Sequence, residues 1–391
     1  MRVAIVHDWL YVIGGAERVL QQILTLFPEA EVYTVFEKLN DEGRQRIGLS
    51  KPVHTTFLQK FPGVNRIHRT LLPLMPIAIE QLDLSPYDLV ISSSYAVAKG
   101  VLTGPDQIHI SYVHSPIRYA WDLQHRYLAE TGSARGPKGM LMRLLLHWIR
   151  IWDVRTGHGP DVMIANSKFI ARRIRKVYGR TAQVIYPPVD LSTRLEPFFK
   201  GDYFLTASRL VAYKNIEVVV RAFALLPNLK LVVAGSGPQA DHLRKIATPN
   251  VEFAGYVSDA KLRELMAGAR SFIFAAEEDF GIISVEAQSE GTPVLALRRG
   301  GSKETVVDGL TGLFFDEATP EAIAATVSTF TARETQFSPE DCVENAKRFS
   351  AERFRSEFQA TVDTALLSRK NEDRPRRIDA RSDVVEKAGI H

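Results

Sequence analysis

The feature that most restricts the fold is a long alternation of short β-branched runs with longer amphipathic segments. Strand, helix and strand in repetition is the pattern of parallel sheets wound with helices on both faces. In the first half, strands are expected at Val3–His7, Glu31–Phe36, Asp88–Ser92, Ile108–His114, Val162–Ala165 and Gln183–Tyr186. Helices are expected at Ala16–Phe27, whose Val19, Leu20, Ile23, Leu24 and Phe27 share one face, and at Ser167–Tyr178, with Ser167 as cap. The stretch from Pro187-Pro188 to Pro197 has no apolar period and reads as a linker. The pattern then restarts, with strands at Tyr203–Ala207, Leu231–Ala234, Val251–Ala254, Ser271–Phe274 and Pro293–Ala296. Helices at Asn215–Leu226, Pro238–Ile246, Asp259–Gly268 and Ile282–Glu290 separate them.

This organisation implies two doubly wound α/β domains, over 1–195 and 196–349, facing each other across a cleft. An amphipathic helix over 350–368 and a charged, disordered tail over 369–391 complete the chain. Ligands of such sheets bind outside the carboxyl ends of the strands, so the strand-to-helix turns are where chemistry is expected.

Composition narrows the setting. A single cysteine, Cys342, allows neither an internal disulfide nor a cysteine-based metal site, which favours a reducing compartment. The first residues lack the pattern of a signal peptide, and the apolar run Leu71–Ile79 is short and holds Pro73 and Pro76. A cytoplasmic location is expected, with the inner face of the cell membrane as a variant. Residues 1–195 carry 24 basic and 16 acidic side chains, a balance of +8, against −4 for the remainder. A basic first half suits phosphorylated ligands, an anionic membrane or nucleic acid, and charge alone does not choose among them.

Five constellations carry the candidate chemistry. Glu278 and Glu286 lie eight positions apart across a strand-to-helix turn that contains Gly281. The free N–H groups of Ile282 and Ile283 suit a phosphate or sugar oxygen, and Glu286 suits a ribose diol. A hydrolytic carboxylate pair is a second reading of the two glutamates. Eight helical positions span about 12 Å, whereas a retaining glycosidase needs roughly 5–5.5 Å, which weakens it. Arg209 and Lys214 follow the first strand of the second domain, placed to neutralise a diphosphate. Gly14-Gly15, Gly235-Ser236-Gly237 and Gly300-Gly301 form glycine turns beside strand ends, each either a ligand contact or only a tight turn.

His114 ends a strand and can donate a hydrogen bond to a sugar hydroxyl, with Arg118, Tyr119 and Trp121 after it as candidate acceptor-side groups. His7 and Asp8, ending the first strand, can face the same cleft, and Asp8 joins the acceptor-side set. The apolar segment Lys138–Trp152, interleaved with Arg and Trp, is either an interfacial membrane helix or a core helix with a basic face.

Taken together these motifs resemble the retaining glycosyltransferases of family 4, which have the GT-B fold and an E-x7-E signature. The glycine turn, the His114-Ser115-Pro116-Ile117-Arg118-Tyr119 segment, the Arg209/Lys214 pair and the Glu278/Glu286 pair follow in the family's order. The resemblance implies that Glu278 contacts the donor sugar, Glu286 the ribose, and that Glu278, His114, Arg209 and Lys214 form the catalytic set. It also implies a C-terminal helix crossing back to the first domain. The departure is Asp279, where the common form has glycine.

The resemblance to mannosyltransferase-like members makes GDP-mannose the first expected donor and a UDP-sugar the second. The acceptor implied is a lipid-linked or growing saccharide. The sequence contains no Asp-x-Asp, so neither a metal nor another cofactor is expected. A non-hydrolysing nucleotide-sugar epimerase is an alternative enzyme, which the Arg/Lys and E-x7-E set argues against. A basic nucleic-acid-binding protein is an alternative of another class, but no nucleic-acid motif supports it, and nucleic acid is not an expected partner.

Overall fold

A computed structural model describes residues 1–130, 132–133, 135–192 and 199–372. The first domain holds a seven-stranded sheet: β1 (Val3–His7), β2 (Glu31–Thr34), β3 (Val53–Thr55), β4 (Leu89–Ser94), β5 (Ile108–Val113), β6 (Val162–Ala165) and β7 (Gln183–Val184). Its spatial order is β3-β2-β1-β4-β5-β6-β7, with every neighbouring pair parallel. The second holds β8 (Tyr203–Ala207), β9 (Lys230–Ala234), β10 (Val251–Gly255), β11 (Ser271–Phe274), β12 (Val294–Leu297) and β13 (Gly312–Phe315). Their order is β10-β9-β8-β11-β12-β13, again all parallel.

Helices on both faces bury the middle of each sheet, which is why strands such as β4, β5 and β12 are buried along their whole length while the edge strands β3, β7 and β10 are not. In each sheet the chain winds outward in one direction and then returns to wind in the other. The reversal falls between β1 and β4 in the first domain and between β8 and β11 in the second. These switch points open crevices at the carboxyl ends of the strands.

The expected GT-B architecture of two Rossmann-like domains is present, with differences of detail. β4 continues to Ser94, past the Ser92 at which the sequence suggested its end. Serines read as turn residues, but here Ser92 Oγ meets His109 Nε2 at 2.8 Å and Ser93 Oγ meets two histidines. Strands β3 and β13 and the helices Pro320–Arg333 and Pro339–Lys347 had no counterpart in the sequence pattern considered above.

The last helix runs Ala351–Glu372, so 369–372, assigned above to a disordered tail, are helical; residues 373–391 lie outside the described residues. The expected domain boundary at 195/196 also lies outside them. This helix does cross back. Phe354, Phe358 and Val362, all fully buried, join the core built from β1, β4, β5 and the Gly15–Leu26 helix. Arg353 donates to the carbonyl of Tyr186 at 2.6 Å, and Thr361 to Gln183 Oε1 at 3.1 Å. At the hinge, Val189 packs with Phe280, Val285, Ala346 and Phe349.

Candidate functional site

The two crevices face each other. In the second domain, the turn after β8 carries Arg209 and Lys214, and the turn after β11 carries Glu278 to Gly281. Asn215, at φ 57° the only non-glycine residue in the left-handed region among the described residues, donates from Nδ2 to the carbonyl of Ala275 at 2.9 Å. That bond ties the two turns across the switch point. Lys214 forms an ion pair with Glu278. Burial and the nearby Arg118 push the Lys214 ammonium down to about 8, with Asp279 opposing. Arg209 is exposed.

Glycines set the backbone around these groups. A Cβ on Gly235 would stand 1.9 Å from the carbonyl oxygen of Ser208, and one on Gly237 2.4 Å from that of Leu210. The Gly235-Ser236-Gly237 turn therefore lies directly against the Arg209 turn, and Leu210 N–H donates to the Ser236 carbonyl at 2.9 Å. Likewise a Cβ on Gly300 (φ +61°) would stand 2.3 Å from the Glu278 carbonyl, while Gly301 N–H donates to that same carbonyl at 2.8 Å. Gly281, at φ 85°, is the N-cap of the Ile282–Ser289 helix. Its first-turn N–H groups are those expected to meet a ligand.

Across the cleft, Gly15 opens the Gly15–Leu26 helix, and a Cβ there would stand 2.7 Å from Ile282 Cδ1. Glycine thus lets the start of one helix approach the start of the other. Gly14 is the N-cap, and its N–H donates to Glu17 Oε2 at 2.8 Å. One turn on, Arg18 forms an ion pair with Glu286 and lies 3.9 Å from Asp190. Burial works against the Arg18 charge, but Glu286 together with Asp190 and Asp259 holds the guanidinium above its usual value. Arg18 was not singled out from the sequence, since its partner is 268 positions away.

His114 sits just past β5, partly exposed, with Nε2 2.8 Å from Ser93 Oγ. Burial, with help from His7, pushes its imidazole down to about 3, so it is neutral.

Several expected acceptor-side groups are engaged elsewhere. Asp8 is fully buried, and its two oxygens accept the N–H groups of Tyr95, Ala96, Val97 and Ala98 at 2.6–3.0 Å. Burial pushes this carboxyl up and the N–H donors oppose it. Asp8 shapes the loop after β4 rather than presenting a carboxylate to a ligand. Trp121 turns inward, donating from Nε1 to Asp153 at 2.7 Å, and the Tyr119 ring packs against Tyr127 at 5.5 Å. Arg118 crosses to the second domain instead, reaching Asp279 at 3.2 Å.

That contact accounts for Asp279. Its Oδ1 also takes Arg173 at 3.1 Å, and its carbonyl accepts from Ser167 Oγ at 2.7 Å. Arg173 in turn holds Asp122 at 2.6 Å. Beside them, Glu304 caps the Lys168–Tyr178 helix from the second domain, accepting the N–H groups of Lys168 and Phe169 at 2.7 and 2.9 Å. The carboxylate that departs from the family pattern is an interdomain clasp.

With this geometry in place, comparison with known proteins is direct. The model of Glycosyltransferase Family 4 matches residues 13–193, and that of Glycosyl transferases group 1 matches 194–349. The chain belongs to glycosyltransferase family 4. This family 4 chain is 30% identical over 224 residues to the D-inositol 3-phosphate glycosyltransferase of Mycolicibacterium gilvum, covering 49% of each chain. It is 29% identical over 208 residues to a GDP-mannose-dependent alpha-(1-6)-phosphatidylinositol monomannoside mannosyltransferase of Mycobacterium tuberculosis, covering 44% of this chain and 53% of that one. The chain spans about half the length of the curated relatives it matches. Among solved structures, Anabaena HepE in complex with UDP-glucose superposes with a TM-score of 0.66 at 19% identity, covering 93% of this chain and all of that one. That likeness is one of fold.

Among the described residues no helix is long and apolar enough to cross a membrane. The Gly136–Thr156 helix, left open between interfacial and core, packs one side into the core and leaves apolar side chains exposed on another. Leu146, Ile149 and Trp152 are buried, while Met140, Leu141, Leu144 and Ile151 stand about 60% exposed.

Proposed function

We propose that this protein is a retaining glycosyltransferase that moves a hexosyl group, mannosyl from GDP-mannose in the first instance, onto a lipid-linked or growing saccharide. The observation that carries the reading is the convergence of Lys214, Glu278, the Ile282–Ser289 helix start and Glu286 at one switch point, opposite Gly14-Gly15 and His114. In this reading Arg209, Lys214 and the N–H groups of Ile282 and Ile283 bind the diphosphate. Glu286 holds the ribose, Glu278 the sugar, and Gly14 and Gly15 close over the phosphates. The main catalytic demand is the charge that builds on the departing diphosphate, and fixed cations and N–H dipoles meet it without reorganisation. The bond from the anomeric carbon to the diphosphate breaks. The acceptor oxygen attaches on the same face, and its proton passes to a diphosphate oxygen. No metal is required in this scheme. Arg18, now on Glu286, must yield when a ribose takes its place.

A GDP-mannose donor is supported by the name of the Mycobacterium tuberculosis relative, and UDP-glucose by that of the Anabaena structure. The exposed apolar row on the Gly136–Thr156 helix, beside a basic first domain, suits docking on the anionic inner face of the cell membrane, where a lipid-linked acceptor resides. Co-sedimentation with vesicles containing anionic lipid, lost in Leu144→Glu, tests that placement.

The test of the central reading is a thermal-shift screen without added metal against GDP-mannose, UDP-glucose, other nucleotide sugars and the free diphosphates. Selective stabilisation by one nucleotide sugar, abolished in Lys214→Ala, is expected. No shift with any of them would sink the reading.

A further inference from the structure

Four polar side chains run in single file beneath the cleft end of the first sheet. Glu17 Oε1 lies 3.3 Å from His7 Nε2, His7 Nδ1 lies 3.1 Å from Ser93 Oγ, and Ser93 Oγ lies 2.8 Å from His114 Nε2. The register of the strands builds this row, because His7 of β1 pairs with Ser93 of β4. His7 and Ser93 are fully buried and Glu17 is 5% exposed, so water does not interrupt the chain.

The direction of each hydrogen bond follows from proton counting. A carboxylate has no proton to give, a hydroxyl has one, and a neutral imidazole carries one N–H. The second oxygen of Glu17 accepts Gly14 N–H at 2.8 Å, as a carboxylate does. With one N–H to give, His7 donates from Nε2 to Glu17 and keeps a lone pair on Nδ1. That lone pair takes the Ser93 proton, and the Ser93 oxygen accepts from His114 Nε2–H. His114, kept neutral by burial, is left with a bare Nδ1.

We propose that Glu17 is a positioning residue which, through His7 and Ser93, holds His114 as the Nε2–H tautomer and so presents Nδ1 as an acceptor for a ligand hydroxyl. The sequence alone cast His114 as a donor, and the chain reverses that role. Only the identity of the hydroxyl, one on the transferred sugar, rests on the function proposed above. A hydroxyl at that position is selected over a group that cannot donate, which makes the row a determinant of specificity.

The structure supplies its own test in Glu17→Gln. Gly14 N–H pins the amide oxygen in the place of Oε2, which turns the amide NH2 towards His7 Nε2. Every bond in the row then reverses, and His114 becomes the Nδ1–H tautomer.

Long-range proton–nitrogen correlation spectra of the ligand-free, histidine-labelled full chain read tautomers directly, with His114 assigned by its loss in His114→Phe. The expected result is an Nε2–H pattern in the wild type and an Nδ1–H pattern in Glu17→Gln. A wild type already Nδ1–H, or an unchanged His114 in a folded Glu17→Gln protein, overturns the proposal. Ser93→Ala cuts the row without touching Glu17. It is expected to leave His114 in mixed tautomers, and an undisturbed single tautomer there also overturns it. Because no ligand is present, these outcomes stand apart from the fate of the transferase reading. If transfer is measured, Glu17→Gln is expected to lower kcat/KM by about 10- to 100-fold.

Discussion

Replacing Asp279 by asparagine keeps its shape and removes one charge from the interdomain clasp. Its Oδ1 holds Arg118 at 3.2 Å and Arg173 at 3.1 Å. At an effective dielectric of about 20 each attraction is roughly 5 kcal/mol before desolvation. Most of this is offset by the cost of taking the ions out of water. Arg173 keeps Asp122 at 2.6 Å, and Arg118 is 34% exposed and screened by solvent. The net loss is about 1–2 kcal/mol, or a fall of about 1–3 °C in Tm for a chain of this length.

The larger effect falls on Lys214. Its ammonium, pushed down to about 8 by burial and Arg118, is held up by Asp279, so the variant pushes it lower still. A diphosphate grip that needs the charged lysine weakens about tenfold per pH unit above that value. Calorimetric titration of GDP and UDP from about pH 6.5 to about 9.5 reads this directly. The wild-type affinity is expected to fall above about pH 8, and the Asp279→Asn affinity to begin falling at lower pH with little change at the acid end. Superimposable profiles would refute the electrostatic link between the clasp and the phosphate site, and an unchanged Tm as well would refute the clasp.

Gly300→Ala drives a Cβ to within 2.3 Å of the Glu278 carbonyl at a φ that disfavours alanine; it is expected to cost about 2 kcal/mol or more and to weaken nucleotide-sugar binding, measured by thermal unfolding with and without ligand. Lys99 and Asp153 form a buried ion pair, with Trp121 and Tyr178 also on the carboxylate. Lys99→Met leaves that charge uncompensated and is expected to cost about 3–5 kcal/mol in denaturant unfolding. Burial pushes both His109 and His114 down to about 3. Their unfolded forms take up protons near pH 6.5 while the native ones do not. Stability is thus present above that pH and declines between about 6.5 and 3, a slope that His109→Gln should reduce in unfolding curves.

Much of the architecture was legible because buried parallel strands must be continuous apolar runs, and Val3–His7, Tyr203–Ala207 and Ser271–Phe274 are bounded as expected. The turn residues were legible for a related reason: strand ends beside glycines and charges stand out locally. What the sequence concealed is pairing over distance. Nothing near Arg18 announces Glu286, nothing near Asp279 announces Arg118 and Arg173, and Asp8 looked available until its four N–H donors, 87–90 positions on, came into view. Ser92 and Ser93 of β4 misled for the same cause, since their hydroxyls are satisfied by histidines on other strands or beyond them.

The last helix has a consequence for how the chain comes to be folded. Phe354, Phe358 and Val362 complete the core around β1, β4 and β5, yet the ribosome makes them only after every strand of the second domain. The domain translated first is therefore finished last. Until those three side chains arrive, the nascent first domain carries an open apolar slot, and this is the interval in which a chaperone or a neighbouring nascent chain competes for it. Folding of the two halves is sequential in synthesis but joint in completion, so an isolated first domain is expected to be less stable than its share of the sheet suggests.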